Sequence, residues 1–259
     1  MNLQMNLSLV SQYKSPSQIA KVLTENWIAH ESYCPNCLSS LKQEKANSKV
    51  LDFSCSVCKN EFELKSKKGI FGKKISDGAY SSMIERLGNA NSPHFFLLNY
   101  SSDFKVRDLV AIPAYFLQPA FIEKRNPLSQ HAKRAGWVGC NILASQIPIA
   151  GKISLLQNYQ PIEKYKVQEK WNKTQFLATA KNIESRGWLL DVMNCIQRLN
   201  ANSFKLDDIY AFEAQLSIKH PNNKHIKEKI RQQLQVLRDK GYIDFVSAGH
   251  YRLSGEYLK

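Results

Sequence analysis

The chain has 259 residues, 43% hydrophobic and 22% charged, with 11 Gly and 9 Pro, an apolar share that supports packed cores and excludes a fibrous or largely disordered chain. Lys and Arg number 36 against 22 acids, a net charge of +14, which favours a polyanionic partner, nucleic acid before an acidic membrane surface. No apolar run approaches the ~18 residues of a spanning helix, and Met1 to Gln12 has no cationic start or long apolar stretch, so a cytoplasmic protein with no membrane role is expected.

Ser15-Pro16 reads as N-cap and first helical residue, and Ile19, Leu23 and Trp27 follow at four-residue steps. That predicts a helix of about four turns ending before Cys34. Alternation over Val50 to Ser54 and Phe62 to Lys65 predicts two strands, followed by a lysine-rich stretch holding Lys65, Lys67, Lys68, Lys73 and Lys74. A helix over Asp77–Leu87 and a buried strand over His94–Tyr100 come next, then further strand from Val106 to Phe116, interrupted at Pro113. The polar stretch Gln157 to Lys181 is the best linker, dividing a domain over 1–182 from one over 183–259.

Past the linker, Leu189, Val192, Met193, Ile196 and Leu199 suit one helical face, and Leu206 to Ile218 suits a second helix with Asp207 and Asp208 in its first turn. A third helix carries Ile226, Ile230, Leu234 and Leu237 on one stripe and stops at Gly241. Tyr242 to Val246 and His250 to Leu253 alternate around Ser247-Ala248-Gly249 as a hairpin. Three helices and a terminal hairpin are the order of an α+β winged helix. Residues 1–182 carry 24 bases and 13 acids, and residues 183–259 carry 12 and 9. Lys224 to Lys240 alone holds six bases and two acids, which puts the second domain's positive charge on its third helix.

Of six cysteines, Cys34, Cys37, Cys55 and Cys58 form two C-x-x-C pairs with 17 residues between, the spacing of a four-thiolate zinc site. Disulfides would need an oxidising compartment, and a redox C-x-x-C normally comes singly. Cys140 and Cys195 read as small buried hydrophobes. Trp27 and Trp188 read as core, and His131, His220 and His250 as surface residues.

The second cysteine pair lies between the two strands. An antiparallel hairpin pairing Asp52 with Glu63 brings its turn to the Cys55/Cys58 knuckle and puts Glu63 and Lys65 on one face, with Asp52 opposite Glu63. Two carboxylates and an ammonium on a half-buried face suit a hard divalent cation such as Mg2+, which takes carboxylates together with phosphate oxygens. The lysine can orient or help deprotonate an attacking water. D…E-x-K alone is weak in a lysine-rich chain, and an exposed salt-bridged hairpin is its other reading. The zinc knuckle and the adjacent Lys67 and Lys68, placed for phosphate contacts, favour the chemistry.

Larger blocks carry more. Ser32-Tyr33-Cys34-Pro35-Asn36-Cys37, Glu61-Phe62-Glu63-Leu64-Lys65-Ser66-Lys67-Lys68-Gly69 and Asp77-Gly78-Ala79-Tyr80 are followed by Arg134-Ala135-Gly136-Trp137-Val138-Gly139-Cys140-Asn141, Ser185-Arg186-Gly187-Trp188 and His225 through Gln235. On these blocks the chain resembles the DpnI family of methyl-directed restriction endonucleases, nearly end to end. The resemblance implies an α/β PD-(D/E)xK nuclease core with an embedded zinc site, followed by a winged helix. It implies Mg2+-dependent cleavage of double-stranded DNA at G-A-T-C when the adenine is N6-methylated, with both domains reading the sequence. Asp52, Glu63 and Lys65 match the catalytic positions, with the Leu64 carbonyl as a further Mg2+ ligand. Trp137, beside Lys133 and Arg134, becomes a DNA-facing aromatic, and Lys224, His225, Lys227, Arg231 and Gln232 become contacts of the third helix. Two departures stand out: Leu51, not proline, precedes Asp52, and Leu38 follows the first cysteine pair where knuckles often place Gly, implying a less tight turn. A monomer is expected. The other class the residues allow is a non-catalytic zinc-ribbon and winged-helix regulator, in which Asp52 and Glu63 would have no use beside phosphate.

Overall fold

Helix α1 spans Pro16–Glu31 and begins as predicted, with Pro at its first position, where a missing N–H costs no intrahelical bond. It packs a face of Leu23, Thr24, Trp27 and Ile28 toward the sheet core, each buried apolar side chain worth about 1.5–3 kcal/mol. The computed structural model describes residues 1–44, 51–89, 92–180, 182–255 and 257. Val50, expected at the start of a strand, lies outside the described residues. The chain divides into two units, Met1–Ser145 with Gly151–Asn172, and Gln146–Ala150 with Lys173–Lys259.

In the first unit, strands β1 (Leu41–Gln43), β2 (Phe53–Cys55), β3 (Glu61–Lys68), β4 (Ile75–Ala79), β5 (His94–Tyr100), β6 (Val106–Ile112), β7 (Ile122–Lys124), β8 (Gly139–Ile142), β9 (Ile153–Gln157) and β10 (Gln160–Pro161) build two sheets. The larger is mixed, in the order β1-β2-β3-β5-β6-β9-β10. Within it β3 and β5 run parallel, Phe62 opposite His94, and every other neighbour pair is antiparallel. A parallel pair requires a crossover rather than a tight turn. The chain from 69 to 93 supplies it, carrying β4 and helix α2 (Tyr80–Gly88). The smaller sheet has the order β4-β8-β7.

Three expectations change here. Asp77–Leu87 is not one helix: Asp77 pairs with Cys140 of β8, the register shifts across Gly78, and the helix begins only at Tyr80. The strand from Val106 ends at Ile112, and a 3-10 turn over Ala114–Phe116 follows Pro113. The stretch 157–181 is not an open linker, because it contains helix α3 (Lys164–Thr174), whose Val167 and Trp171 are buried. Trp171 lies against Phe62, His94 and Tyr115.

The second unit contains α4 (Ile183–Arg198), β11 (Ser203–Lys205), α5 (Leu206–Tyr210), α6 (Glu213–Lys219), α7 (Ile226–Asp239), β12 (Ile243–Ser247) and β13 (His250–Leu253). It is an α+β unit with a three-stranded sheet in the order β11-β13-β12. The single helix expected over 206–218 is two, α5 and α6, separated at Ala211 and Phe212. Gly241 takes φ +70, the left-handed conformation that ends α7 as predicted. Trp188 is core, but His220 is no free surface residue: it stacks on Trp188 at 3.8 Å and bonds the buried Asp191. Among the described residues no helix is long and apolar enough to cross a membrane.

Candidate active site and metal centre

Two matching turns build the cysteine cluster. Leu38 N–H donates to the Cys34 carbonyl at 2.8 Å, and Lys59 N–H to the Cys55 carbonyl at 3.0 Å. Leu38 and Lys59 both take left-handed φ, 63° and 62°, at about 1–2 kcal/mol each for a residue with a Cβ. The first turn is therefore no looser than the second, contrary to expectation, because a non-glycine residue accepts the strained conformation in both. The four sulfurs lie within 4.8 Å of one another, with Cys34 to Cys58 and Cys37 to Cys55 both 3.4 Å. These separations far exceed a disulfide bond of about 2.05 Å. They approach the ~3.8 Å edge of a tetrahedron with Zn–S bonds of ~2.3 Å. Burial pushes the Cys34 thiol up; at Cys37 burial is outweighed by the Ser39 hydroxyl and N–H, which bring it down to about 6. The cluster is suited to a structural zinc ion. Cys140 and Cys195 are buried elsewhere, as expected.

The β2–β3 pairing continues from this cluster to the carboxylates. Phe53 opposes Phe62 and Ser54 opposes Glu61, which is the register that sets Asp52 against Glu63. Asp52 accepts the Leu64 N–H at 2.7 Å through one oxygen. Asp52, Glu63 and Leu64 line a cleft of about 440 Å3, with Thr24, Glu25 and Lys21 of α1 on its other wall. Glu25 was not singled out from the sequence; burial holds its carboxyl above the ordinary range, opposed by Lys21 and aided by the Asp52 charge.

Lys65 shares a face with Glu63 but turns its ammonium to two carboxylates, Glu63 and Asp77, both in close contact. Arg86 of α2 lies 3.7 Å from the other oxygen of Glu63. Burial raises Glu63, opposed by Lys65; burial alone would lower Lys65, but Glu63 and Asp77 together outweigh it and hold it above the ordinary value. Glu63 Oε2 and Asp77 Oδ2 are buried with no hydrogen-bond partner. Sequence reasoning named Asp77 only as part of a block and assigned Arg86 no role. An acid in a region that reads as helical gave no signal of its position.

The candidate DNA contacts fall in separate places. Lys67 and Lys68 are exposed at the end of β3. Lys133 and Arg134 are exposed on a loop closed by Leu128 N–H to the Trp137 carbonyl, 2.9 Å, and Gly136 N–H to the Leu128 carbonyl, 3.0 Å. Trp137 is half-buried, with the Arg134 guanidinium 4.5 Å from its ring centroid. In the second unit Lys224, His225, Lys227, Arg231 and Gln232 are all exposed along α7 and its approach. Arg231 donates to the Tyr210 hydroxyl at 2.9 Å, and Lys227 sits 5.3 Å from the Tyr210 ring centroid. Tyr210 thus orders two of these cations, a role invisible in the sequence pattern.

The profile described as DpnI, the Dam-replacing family, matches residues 1–180. The profile described as DpnI_C, the Dam-replacing HTH domain, matches residues 184–253.

Proposed function

Because the chain belongs to the DpnI, or Dam-replacing, family, we propose that it is a Mg2+-dependent PD-(D/E)xK endonuclease that cuts double-stranded DNA at G-A-T-C carrying N6-methyladenine. The observation that carries the chemistry is the convergence of Asp52, Glu63, Leu64 and Lys65 at one end of the β2–β3 pair, beside an open cleft. The donor set fits a hard cation: the Asp52 and Glu63 carboxylates, Glu63 with a buried oxygen that lacks a hydrogen-bond partner, and the backbone carbonyl of Leu64, the residue whose N–H donates to Asp52. Asp52, Glu63 and the Leu64 carbonyl would hold Mg2+, which when bound would supply positive charge to offset the negative charge developing on the phosphate and leaving oxygens.

The chain's own groups account for the rest. Burial works against the Lys65 ammonium but Glu63 and Asp77 outweigh it, so the side chain stays protonated and orients a water by donating a hydrogen bond to it. Lys67 and Lys68 contact phosphates next to the cut. The Trp137 loop reads the methylated adenine in the first unit, and α7 reads the same site in the second. Zinc at Cys34, Cys37, Cys55 and Cys58 fixes the turn from which β2 and β3 depart, and so the spacing of Asp52 and Glu63.

The test is incubation with methylated and unmethylated plasmid, in Mg2+ or in EDTA. Cleavage of methylated plasmid only, and only with Mg2+, is expected. Asp52→Ala and Lys65→Ala should abolish cutting and leave specific binding largely intact, since many phosphate contacts share the docking energy. Specific binding without cutting by the native chain would leave a regulator, and near-native cutting by Asp52→Ala would reject the site.

A further inference from the structure

Lys65 is held from two sides, and the two holders come from different sheets. Glu63 lies two residues away on β3, while Asp77 arrives from β4 of the smaller sheet. The Asp77 side chain is only 2% exposed. Its Oδ1 takes both the Lys65 ammonium and the Gly78 N–H, the latter at 2.6 Å, at the position where the β4–β8 register shifts. Its second oxygen is buried without a hydrogen bond, as is Arg86 Nη1 across the cluster. Burying such atoms without hydrogen bonds costs free energy, so stability alone does not account for the arrangement.

We propose that Asp77 is a positioning residue for cleavage, the fixed anchor that keeps Lys65 in place when Glu63 turns to a divalent cation, and that Arg86 sets the charge balance at Glu63. The inference rests on the nuclease reading of Asp52, Glu63 and Lys65. A divalent cation on Glu63 draws on the charge of the carboxylate that also holds the ammonium through Oε1, and so weakens that hold. With Asp77 in place, the lysine keeps one full partner. Glu63 and Asp77 carry two negative charges against Lys65 and Arg86, so the cluster is neutral. Asp77→Asn keeps the shape and leaves a surplus of positive charge, with Lys65 thrown entirely onto Glu63. Arg86→Gln does the reverse and leaves Glu63 freer. The two variants should therefore move cation affinity in opposite directions, which a loss of packing would not do.

The readout independent of cutting is the Ca2+ concentration that half-saturates binding of a methylated G-A-T-C duplex, followed by fluorescence anisotropy. It should rise about three- to tenfold in Asp77→Asn and fall by a similar factor in Arg86→Gln. Single-turnover cleavage by Asp77→Asn in saturating Mg2+ should drop at least about tenfold, with the thermal midpoint and zinc content close to native. Shifts of the same sign in both variants, or native cleavage and native cation affinity in Asp77→Asn, would overturn the proposal. So would a rate loss matched by lost zinc and lower thermal stability. Lys65→Ala, measured alongside, separates the two levels: an active Lys65→Ala sinks the catalytic assignment on which this inference rests, whereas an inactive one beside a native Asp77→Asn sinks only the anchor.

Discussion

Lowering the pH from 7 to 5 puts a proton within reach of His94, and the first unit has no place for the resulting charge. The His94 ring sits between Phe62, Tyr115 and Trp171, and its Nδ1 accepts the Ala114 N–H at 2.9 Å, so the neutral ring is held with its other nitrogen protonated. Burial lowers its pKa to about 4, from 6.5 for the free side chain. The unfolded chain therefore binds a proton over a window in which the folded chain does not. By linkage, the stability from keeping His94 neutral is fully present above the unfolded value and is lost as pH falls through 6.5 toward 4. At about 1.36 kcal/mol per pH unit, going from pH 7 to pH 5 costs about 2 kcal/mol. Urea unfolding at half-unit steps, read by tryptophan emission with Trp171 4.9 Å from the imidazole, measures it. His94→Asn keeps an acceptor for Ala114 and removes the titration. Its stability should change with pH less steeply than that of the native chain by about one proton between pH 5 and 6. Equal slopes in the two proteins would refute the argument, and so would an imidazole titrating near 6.5 by NMR.

Three further perturbations have defined outcomes. Cys55→Ser should lose zinc by elemental analysis and drop the thermal midpoint of the first unit, since structural zinc contributes several kcal/mol of folding free energy directly; full zinc retention would contradict the four-thiolate site. Gly139→Ala puts a Cβ 2.8 Å from two ring atoms of Trp137. The half-buried ring must move, which should shift tryptophan emission and, on the proposed function, reduce preference for methylated DNA in cleavage more than it slows cutting overall. Tyr210→Phe removes only the hydroxyl that Arg231 bonds, so stability should stay within about 0.5 kcal/mol. DNA affinity should fall severalfold at fixed salt with an unchanged salt slope, because the cation is kept and only its direction is lost.

What the sequence made visible is what short periods encode. The first helix, the hairpin at the second knuckle, the His94 strand and the helix ending at Gly241 each carry their pattern within a dozen residues, and each formed. The Asp52–Glu63 register followed from centring the turn on the Cys55/Cys58 knuckle, and the structure keeps it because slipping one strand by a residue would turn Phe53 or Phe62, both fully buried, toward solvent. The missed pieces have weak local patterns. Helix α3 buries Val167, Trp171 and Thr174, and the two apolar ones are a single i,i+4 pair in an otherwise polar stretch that composition marks as linker. The break between α5 and α6 leaves no Gly or Pro behind.

Asp77 shows why part of the site was out of reach. Asp-Gly has poor strand propensity and the following residues have a helical period, so local preference argues for a helix or turn. Pairing with β8 overrides it, and that partner lies some sixty residues further along the chain. Only this long-range pairing carries the carboxylate to Lys65. A motif search finds the carboxylates and lysine that lie on one hairpin, because their spacing is fixed by a single strand register. It cannot find a group delivered by a second sheet, whose position depends on how two sheets are set against each other. The three residues legible in sequence and the fourth that was not therefore differ in kind: the first are tied to the zinc-anchored hairpin, and the fourth joins that hairpin to the rest of the unit. A substitution that loosened β4 from β8 would leave every residue of the motif in place and still free the ammonium on which the proposed chemistry depends.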